Sequence, residues 1–546
     1  MSEETKHAQE SISEIEDLYD TDYEIGQDNI EKWGFDMHAP VFPVSAGLIL
    51  IFVVASLIYP EQANEILVAT RNWIQEAFDW MFLSAGSIFV LFCLALIVSP
   101  AGRIRLGGQD ARPDFSVLSW FAMLFAAGMG IGLMFWSVAE PVGYFTESFG
   151  PPLNVAGFTE ESRTTALGAT MYHWGLHPWA IYGVVALSLA FFSFNKGFPL
   201  TIRSTFYPLL GDRVWGWPGH VIDTVSVLAT IFGLATSLGL GAQQAASGLS
   251  FLSEKYEFLN IAGGLQTQVI VITGVTAVAI LSVVRGIDGG VKLLSNLNMI
   301  FALLLLVFVI IAGSLSGFLG NVGRTVSGYV EYMLPLSNPF GRDDEAFYHG
   351  WTIFFWAWWI SWSPFVGMFI ARVSRGRTIR QFLTAVLIVP TVVTVVWMSA
   401  FGGNGLDQAA DGVGELADGI SDSTLALFQM LTHLPLTGIT SFLAICLVLV
   451  FFVTSSDSGS LVIDSITSGG KTDAPVNQRI FWATAEGVIA AVLLVVGGNA
   501  ALEALSAGAV SVGLPFTILL LIMCASLTRG LYHELQLIGY NEVLRK

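Results

Sequence analysis

Apolar and polar stretches alternate along this chain at a length that predicts membrane-spanning helices. From the forties to the C-terminus, runs of about 20 mostly apolar residues are separated by short polar connections. Strands of a membrane barrel would alternate apolar and polar side chains over about 10 residues, and the chain lacks that pattern. We therefore expect an all-α polytopic membrane protein. The pattern predicts twelve helical spans, near residues 41–60, 79–99, 116–139, 165–193, 221–253, 268–284, 296–318, 348–371, 379–401, 437–469, 479–498 and 508–527.

Composition and charge support this assignment and divide the chain into three regions. Of the 546 residues, 54% are hydrophobic and 12% are charged, about half the charged fraction of a typical soluble domain. The net charge of −19 lies largely before the first span and in the stretch 407–422. These carboxylates are expected to be solvated charge, or an adaptation to a salt-rich environment. The predicted regions are an acidic, disordered cytoplasmic tail at 1–40, a transmembrane domain at 41–528 and a short cytoplasmic tail at 529–546.

The distribution of positive charge predicts the orientation of the spans. When twelve spans are threaded in order, most of the 24 lysines and arginines fall on the side of the N-terminus. Positively charged loops favour the cytoplasmic side. Both termini are therefore predicted to be cytoplasmic, in a protein of the cell membrane.

Two of the predicted spans contain sequences that favour a break in the helix. The third span contains Gly128, Gly130 and Gly132 in alternation, and the eighth contains a Ser-Trp-Ser-Pro run at 361–364. A broken helix in hydrocarbon is tolerated where its backbone lines a cavity. Because the two spans are five apart, the pattern predicts two inverted repeats, about 116–318 and 348–527, whose broken first helices meet at a binding site.

Two crowded groups of aromatic residues lie inside predicted spans. Trp358, Trp359 and Trp362 are close to the middle of the eighth span, and Trp179 and Tyr182 lie one helical turn apart in the fourth. Aromatic faces attract a quaternary ammonium group, which cannot donate hydrogen bonds. The alternative is an interfacial belt, but belt residues lie at the ends of spans. A cation cage at membrane depth indicates a transporter.

The same segments suggest how an anionic group of the ligand is held. Asp and Glu are absent from both aromatic runs and from the glycine run, so the ligand's own negative end is expected to balance its positive end, which favours a zwitterion. Backbone N–H groups freed around Gly128, Gly130 and Gly132 can hold a carboxylate. The alternative for these glycines is close packing of helices.

A third group, in the tenth span, contains candidate ion ligands. Thr454 and Ser455 are adjacent hydroxyls that suit Na⁺ if free carbonyls lie nearby, although such hydroxyls often bond to their own helix. Asp457 is a carboxylate inside a span and either pairs structurally or relays a proton. His173 and His177 raise the same question. The chain shows no arrangement of nucleophile and base, so we expect no enzyme activity and no cofactor other than a coupling ion.

These segments resemble the betaine/choline/carnitine transporter (BCCT) family over nearly everything after about residue 40. The most specific part is 350–369, GWTIFFWAWWISWSPFVGMF, and the segments 128–132, 173–182, 229–241 and 454–458 match in order. The resemblance implies a leucine-transporter-like fold of two inverted five-helix repeats preceded by two helices, assembled as a trimer. It also implies uptake of osmoprotective trimethylammonium compounds, driven by Na⁺ or H⁺.

The resemblance also implies roles for individual residues. Trp174, Trp179, Tyr182 and Trp359 would form the central aromatic box, and Trp358, Trp362 and Phe369 would line the path to the cytoplasm. One Na⁺ site would use main-chain oxygens of Ala126, Met129 and Phe451 with the hydroxyls of Thr454 and Ser455. A second Na⁺ site would use Thr230 and Phe365, but Leu234 stands where a second threonine is expected.

The sequence therefore favours a Na⁺-coupled symporter of glycine betaine or a similar zwitterionic osmolyte. The nearest alternative is an H⁺-coupled carrier of choline or carnitine, with Asp457 or a histidine taking the proton. A third alternative is an osmolyte sensor derived from a transporter. Expected partners are the small quaternary ammonium substrate, the coupling ion, the lipid bilayer and two further copies of the chain, and no nucleic acid.

Overall fold

Helices make up most of the protein. The computed structural model describes residues 3–128, 130–257, 260–285 and 292–544. The helices are α1 (Glu3–Asp17), α2 (Val41–Ile58), α3 (Pro60–Val98), α4 (Val117–Gly128), α5 (Ile131–Thr146), α6 (Glu160–Trp174), α7 (Leu176–Phe194), α8 (Tyr207–Leu210), α9 (Trp217–Tyr256), α10 (Leu265–Arg285), α11 (Lys292–Gly313), α12 (Leu315–Ser337), α13 (Glu345–Phe347), α14 (Ile353–Arg372), α15 (Ile379–Ala410), α16 (Ala426–Thr432), α17 (Thr437–Thr467), α18 (Val476–Gly497) and α19 (Ala501–Leu544). Two short strands, β1 (Asn29–Lys32) and β2 (Phe35–His38), form an antiparallel hairpin.

Many of these helices are long and apolar enough to cross a membrane. Within the described residues there are ten such segments, and the last, Val476–Asn541, contains both α18 and α19. The short helices α4 and α5 are not among the ten. The protein is therefore an all-α polytopic membrane protein, as its hydropathy pattern predicts.

The spanning helices divide into a buried centre and an exposed periphery. In α9 and in the segments Glu160–Phe194 and Glu345–Arg372, about nine-tenths of the most apolar window is buried inside the protein, at 89%, 94% and 89%. In α2, α10 and the segment Leu293–Gly313 that figure is 28%, 33% and 22%. Apolar side chains of the outer helices are thus left to contact lipid, while α6, α7, α9 and α14 enclose the centre.

The third predicted span is broken at the expected glycines. Helix α4 ends at Gly128 and α5 begins at Ile131, with Gly130 between them in an extended conformation (φ −167°, ψ −179°). No side chain caps the first turn of α5. The N–H groups at the start of α5 therefore lack the intrahelical partners that later residues have.

The eighth predicted span is not broken where the sequence analysis places a break. Helix α14 runs continuously from Ile353 to Arg372 with Pro364 inside it. Proline lacks the N–H that would bond to the carbonyl of Ile360 four residues earlier. The hydroxyl of Ser363 donates to that carbonyl at 2.7 Å, so the acceptor freed by proline is satisfied within the helix. The irregular turn lies earlier, as a π-helical turn at Tyr348–Thr352.

The segment before α2 also differs from the predicted disordered tail. Helix α1 packs on α19, and the hydroxyl of Tyr19 lies 2.9 Å from Nδ1 of His533. In the hairpin, Asp36 pairs with Lys471 at 2.5 Å, in the connection between α17 and α18. Because α19 continues to Leu544, most of the predicted C-terminal tail is helical as well. The rings of His7 in α1 and Tyr540 in α19 have centroids 6.3 Å apart, so the two ends of the described chain lie close together.

Candidate functional site

A small cavity lies at the centre of the helix bundle. It is bounded by the start of α5, the junction between α6 and α7, and the middle of α14. The volume of this cavity is about 30 Å³. Eight of the predicted substrate residues line it: Gly130, Gly132, Trp174, Trp179, Tyr182, Trp358, Trp359 and Trp362.

Four aromatic rings form a concave wall around this cavity. The ring of Trp359 meets Trp174 at a centroid distance of 4.9 Å and Tyr182 at 6.4 Å, with interplanar angles of 74° and 78°. Trp179 meets Tyr182 at 5.4 Å and 77°. We call Trp174, Trp179, Tyr182 and Trp359 the aromatic box. Such a set of ring faces suits a quaternary ammonium group.

A glycine between two helices brings both tryptophans of the α6–α7 segment to the box. Helix α6 ends at Trp174, α7 begins at Leu176, and Gly175 lies between them. The N–H of Leu176 donates to the hydroxyl of Tyr329 at 2.8 Å. A Cβ on Gly175 would lie 2.7 Å from the Tyr329 ring, so this close approach requires glycine. The break turns the chain so that Trp174 and Trp179 line the same cavity.

The tryptophans of α14 are held by hydrogen bonds of their indole N–H groups. Each of three N–H groups donates to an oxygen of a neighbouring segment at 3.0 Å. The acceptors are Ser237 Oγ for Trp358, the His173 carbonyl for Trp359 and the Gly233 carbonyl for Trp362. These hydrogen bonds fix the positions of the three indole rings that line the cavity, and Trp358 stacks on Trp359 at 4.7 Å and 13°.

The glycines of the α4–α5 break have different surroundings. A Cβ on Gly132 would lie 2.7 Å from the ring of Trp358 and 2.9 Å from that of Trp174, so glycine is needed for the rings to pack. A Cβ on Gly130 would meet only Trp362, at an ordinary 3.7 Å. Gly128 is the last residue of α4, on the other side of the break. The first turn of α5 therefore brings backbone N–H groups close to the aromatic box.

One buried carboxylate beside the aromatic box was missed by the sequence analysis. Glu140, in α5, is fully buried and accepts a hydrogen bond from Trp174 Nε1 at 2.6 Å. Its other oxygen accepts from the hydroxyl of Tyr144 at 3.0 Å and lies 2.7 Å from Nδ1 of His173. A carboxylate inside a spanning segment is a functional candidate by default, and that signal was present in the sequence. Acidic residues are absent from the aromatic and glycine runs themselves, but Glu140 contacts Trp174 of the aromatic box from further along α5.

A second cavity, of about 130 Å³, lies between α11, α14 and α17. Trp362 lines both cavities and forms part of the wall between them. Four of the predicted ion ligands, Ala126, Phe451, Thr454 and Ser455, line the second cavity, as do Phe365 and Phe369. Met129, the remaining predicted ligand of this site, lies outside the described residues.

Comparisons with known proteins identify the family. A family model described as "BCCT, betaine/carnitine/choline family transporter" matches residues 40–536. The chain belongs to this family. As a member of the BCCT family it is a transporter and not an enzyme.

Three curated relatives illustrate the similarity of this BCCT transporter to its family. Glycine betaine transporter 1 of Vibrio parahaemolyticus is 63% identical over 94% of this chain and 98% of its own length. A glycine betaine/proline/choline/ectoine transporter of the same species is 58% identical over 94% of this chain and 91% of its own length. Glycine betaine transporter OpuD of Bacillus subtilis is 42% identical over 93% of this chain and 97% of its own length.

Within the second cavity of this BCCT transporter, the Thr454 hydroxyl is already engaged. It contacts the carbonyls of Val450 and Phe451 in its own helix at 3.1 and 3.2 Å, and it accepts from Asn298 Nδ2 at 3.0 Å. Bonding of a hydroxyl to its own helix is the alternative that the sequence analysis left open for this residue. Ser455 is buried in the cavity wall beside it.

The residues suggested for a second Na⁺ site are not assembled around one cavity. Thr230 is fully buried and its hydroxyl donates to the carbonyl of Ser226 at 2.7 Å. Phe365 lines the second cavity, whereas Thr230 does not. Leu234, which replaces the expected threonine, packs against Gly459.

The remaining titratable candidates of the BCCT transporter are hydrogen-bonded. Asp457 accepts from the hydroxyl of Ser282 at 2.5 Å, and in the part of the chain that the structure describes its second oxygen has no hydrogen-bond partner. Nε2 of His177 lies 3.0 Å from the hydroxyl of Ser337, and its ring stacks on Trp356 at 5.2 Å. Across the described residues, no three His, Cys, Asp or Glu side chains are grouped to hold a metal ion.

Proposed function

We propose that this BCCT protein imports glycine betaine or a similar zwitterionic trimethylammonium osmolyte, together with Na⁺. The observation that carries the proposal is the aromatic box of Trp174, Trp179, Tyr182 and Trp359 around a buried central cavity. Each contact between an ammonium group and a desolvated ring contributes about 0.5–2 kcal/mol. Several rings together therefore bind the trimethylammonium group without a direct carboxylate contact.

The start of α5 supplies a site for the substrate carboxylate. Gly130 and Gly132 line the same cavity as the aromatic box, and the first turn of α5 has no side-chain cap. Unpaired backbone N–H groups and the positive end of the helix dipole both favour an anion there. A zwitterion of short length would place its ammonium group among the rings and its carboxylate at α5.

The names of the relatives agree with this class of substrate. Two of the three similar transporters are named for glycine betaine, and the third for glycine betaine, proline, choline and ectoine. These compounds are small, and most of them carry a quaternary or ring ammonium group. We therefore extend the same substrate class to this chain.

Coupling to Na⁺ is proposed from the second cavity. Ala126, Phe451, Thr454 and Ser455 line it together, and carbonyl and hydroxyl oxygens are ligands suited to a hard cation. Met129 completes the proposed set. Because Leu234 offers no oxygen and Thr230 lies outside the cavity wall, we propose one Na⁺ site and not two.

Coupling to H⁺ is a second candidate, favoured by one observation. Asp457 is buried and follows the Thr454–Ser455 pair closely in α17, and one of its carboxylate oxygens has no hydrogen-bond partner among the described residues. A buried oxygen of that kind can take up a proton. A choline or carnitine carrier driven by protons would use this group.

The proposed architecture has twelve spans in two inverted repeats, 116–318 and 348–527, with alternating access around the central cavity. In this architecture the α4–α5 pair and α14 are equivalent first helices, and both contribute to both cavities. Trp358, Trp362 and Phe369 would line the path to the cytoplasm. We further propose a trimer in the cell membrane with both termini cytoplasmic.

Transport into proteoliposomes tests the proposal. Labelled glycine betaine should accumulate when an inward Na⁺ gradient is imposed at constant pH. Thr454→Ala and Ser455→Ala should each raise the Na⁺ concentration needed for half-maximal uptake, while Thr440→Ala in the same helix should not. Accumulation that ignores Na⁺ and collapses with a protonophore would replace Na⁺ coupling by H⁺ coupling.

A further inference from the structure

Two rings of the aromatic box are attached to one buried pair of residues, Glu140 and His173. The Glu140 carboxylate accepts from the indole N–H of Trp174 at 2.6 Å. The backbone carbonyl of His173 accepts from the indole N–H of Trp359 at 3.0 Å. Because Glu140 and His173 lie 2.7 Å apart, the orientation of both tryptophans depends on this pair.

The pair is itself held rigidly. Nε2 of His173 lies 3.0 Å from the hydroxyl of Thr352. The imidazole ring lies between Phe347 and Phe355, at centroid distances of 5.3 and 4.7 Å and interplanar angles of 20° and 22°. Both His173 and Glu140 are fully buried. A group fixed in this way cannot turn to follow a ligand, so it acts from a constant position.

Two opposing effects act on the charge of Glu140: burial away from water favours the neutral acid, whereas the hydrogen bonds donated to it favour the negative form. Its hydrogen-bonding partners in the described chain are Trp174, Tyr144 and His173. An indole N–H is a donor only, and hydrogen bonds donated to a carboxylate stabilise its charge. None of the three partners is a lysine or an arginine. A buried carboxyl group without such a partner is negative only where positive charge is supplied from elsewhere.

The aromatic box is where that positive charge can be supplied. Trp174 has its N–H edge on Glu140, and its ring lines the cavity. A negative charge at the N–H edge polarises the indole and strengthens the attraction of its face for a cation. The substrate's ammonium group then serves as the missing counter-charge, although it does not touch the carboxylate.

We propose that Glu140 is the fixed counter-charge of the aromatic box, which positions Trp174 and makes the site selective for the positive charge of the ligand and not only for its shape. The inference rests on the proposed function, since it requires a quaternary ammonium group in the box. It also extends the ligand class: a bare quaternary ammonium cation such as choline needs no carboxylate of its own to be balanced in this site. Glu140 is a positioning residue, because the ligand contacts the ring and not the acid.

A pair of ligands of equal shape tests the proposal. Glycine betaine and 3,3-dimethylbutanoate differ in one atom, the quaternary nitrogen, which is carbon in the second compound. Their affinities are measured by calorimetric titration of purified full-length protein, wild type and Glu140→Gln. We expect Glu140→Gln to reduce the ratio of the two affinities at least tenfold, because the charge is lost while the shape of the side chain is kept.

A hydrogen-bond variant separates charge from packing. Tyr144→Phe removes one donor to the same carboxylate and leaves the charge in place, so its affinity ratio should stay within about twofold of wild type. If Glu140→Gln weakens both ligands equally, the carboxylate only supports the fold of the site and the proposal is wrong. Should Glu140→Gln not be recovered as folded protein, a tenfold fall of the ratio in Tyr144→Phe would overturn the charge-based role.

The outcome for the wild type distinguishes this inference from the proposed function. Absence of glycine betaine binding by folded wild-type protein would contradict the proposed function, and the inference with it. Binding by the wild type with an unchanged ratio in Glu140→Gln would contradict the inference alone.

Choline provides a further comparison in the wild type, since it should bind at least tenfold more tightly than its uncharged analogue 3,3-dimethylbutan-1-ol. Equal binding of these two compounds would overturn the inference without any variant.

Discussion

At the scale of single residues, the centre of the protein is defined by how each ring is held. Trp359 contributes a face to the cavity, while its N–H is bonded to the backbone at His173. Gly132 contributes by having no side chain, because two tryptophan rings occupy the space a Cβ would need. Affinity and packing are therefore coupled at these positions, and each can be tested by a substitution.

Removing the ring of Trp359 should weaken substrate binding more than it alters the fold. We expect Trp359→Leu to raise the apparent KM for glycine betaine about tenfold or more, through loss of cation–π attraction and of one wall of the box. Trp359→Phe, which keeps a ring face, should raise it less. The measurement is initial uptake rate against substrate concentration in proteoliposomes.

The control for this prediction is a buried tryptophan outside the box. Trp397, in α15, stacks on Phe401 and does not line either cavity. Trp397→Leu should lower stability and leave KM within about twofold. A similar increase of KM in both leucine variants would attribute the effect to general loosening of the protein.

Adding one methyl group at Gly132 should disturb the cavity. In Gly132→Ala the new Cβ would lie 2.7 Å from Trp358 and 2.9 Å from Trp174, so at least one ring must move. We expect uptake to fall about tenfold or more, since displaced rings no longer fit the ammonium group. Gly143→Ala, in the same helix, places its Cβ 3.9 Å from the nearest ring and should transport normally. Normal uptake by Gly132→Ala would show that the rings can adapt.

At the scale of elements, two interrupted sequences lead to two different backbones. The glycine run divides a span into α4 and α5, whereas the Ser-Trp-Ser-Pro run stays inside a continuous α14. The two sites differ in whether the backbone groups freed by the interruption find a hydrogen-bond partner. Around Gly130 no side chain caps the new helix, but Ser363 donates to the carbonyl that Pro364 leaves free.

Ser363 should therefore stabilise α14 more than an ordinary helical serine stabilises its helix. Ser363→Ala leaves the buried Ile360 carbonyl without a donor, and we expect a loss of about 1–3 kcal/mol in the free energy of unfolding. Ser188, in α7, donates to the carbonyl of Val184, but that carbonyl keeps its backbone N–H partner. Ser188→Ala should change stability by less than about 1 kcal/mol. Thermal unfolding in detergent compares the two variants, and equal losses would contradict the role given to Ser363.

At the scale of the whole molecule, the N-terminal segment ties distant parts of the chain together. Asn29 donates to the carbonyl of Ser468, which is 439 residues away in sequence. His38 at the end of the hairpin is fully buried, with its Nε2 3.3 Å from Arg203 and 3.9 Å from Asp28. The segment thus contacts the connections that follow α7 and α17.

Docking of this segment should depend on pH through His38. Burial, with the positive charge of Arg203 and the nearby His220, lowers the pKa of His38 from 6.5 to about 3. The undocked segment then takes up a proton below about pH 6.5 that the docked segment does not. Docking should be strongest above that pH and weaken as the pH falls toward 3. The protection of residues 29–38 against hydrogen exchange, taken relative to the intrinsic exchange rate at each pH, should therefore be lower at pH 5 than at pH 7.5.

Two histidine variants check the assignment. His38→Gln should remove most of the pH dependence of protection in the hairpin, because the titrating group is gone. His7→Gln changes an exposed histidine in α1 and should leave that dependence as it is in the wild type. Unchanged pH dependence in His38→Gln would assign the titration to another group.

The sequence by itself determined the helical membrane class and the break at the glycine run, and the family resemblance named four aromatic residues that line one cavity, while their role in binding stays a prediction. These features follow from the length of apolar runs, from the conformational freedom of glycine, and from Trp174, Trp179, Tyr182 and Trp359 standing in recognisable segments. The roles proposed for Thr454 and Ser455 as ion ligands stay predictions. All of this is encoded within short stretches of chain.

Only the tertiary structure decided which distant residues complete those stretches. It placed Glu140 against Trp174, 34 residues away, and it packed the acidic N-terminal segment on α19 and on the α17–α18 connection. A single sequence does not show such pairings, because a buried charge or an acidic tail has many potential partners. The geometry of the folded chain selects among them, since a hydrogen bond forms only where a donor and an acceptor come within about 3 Å.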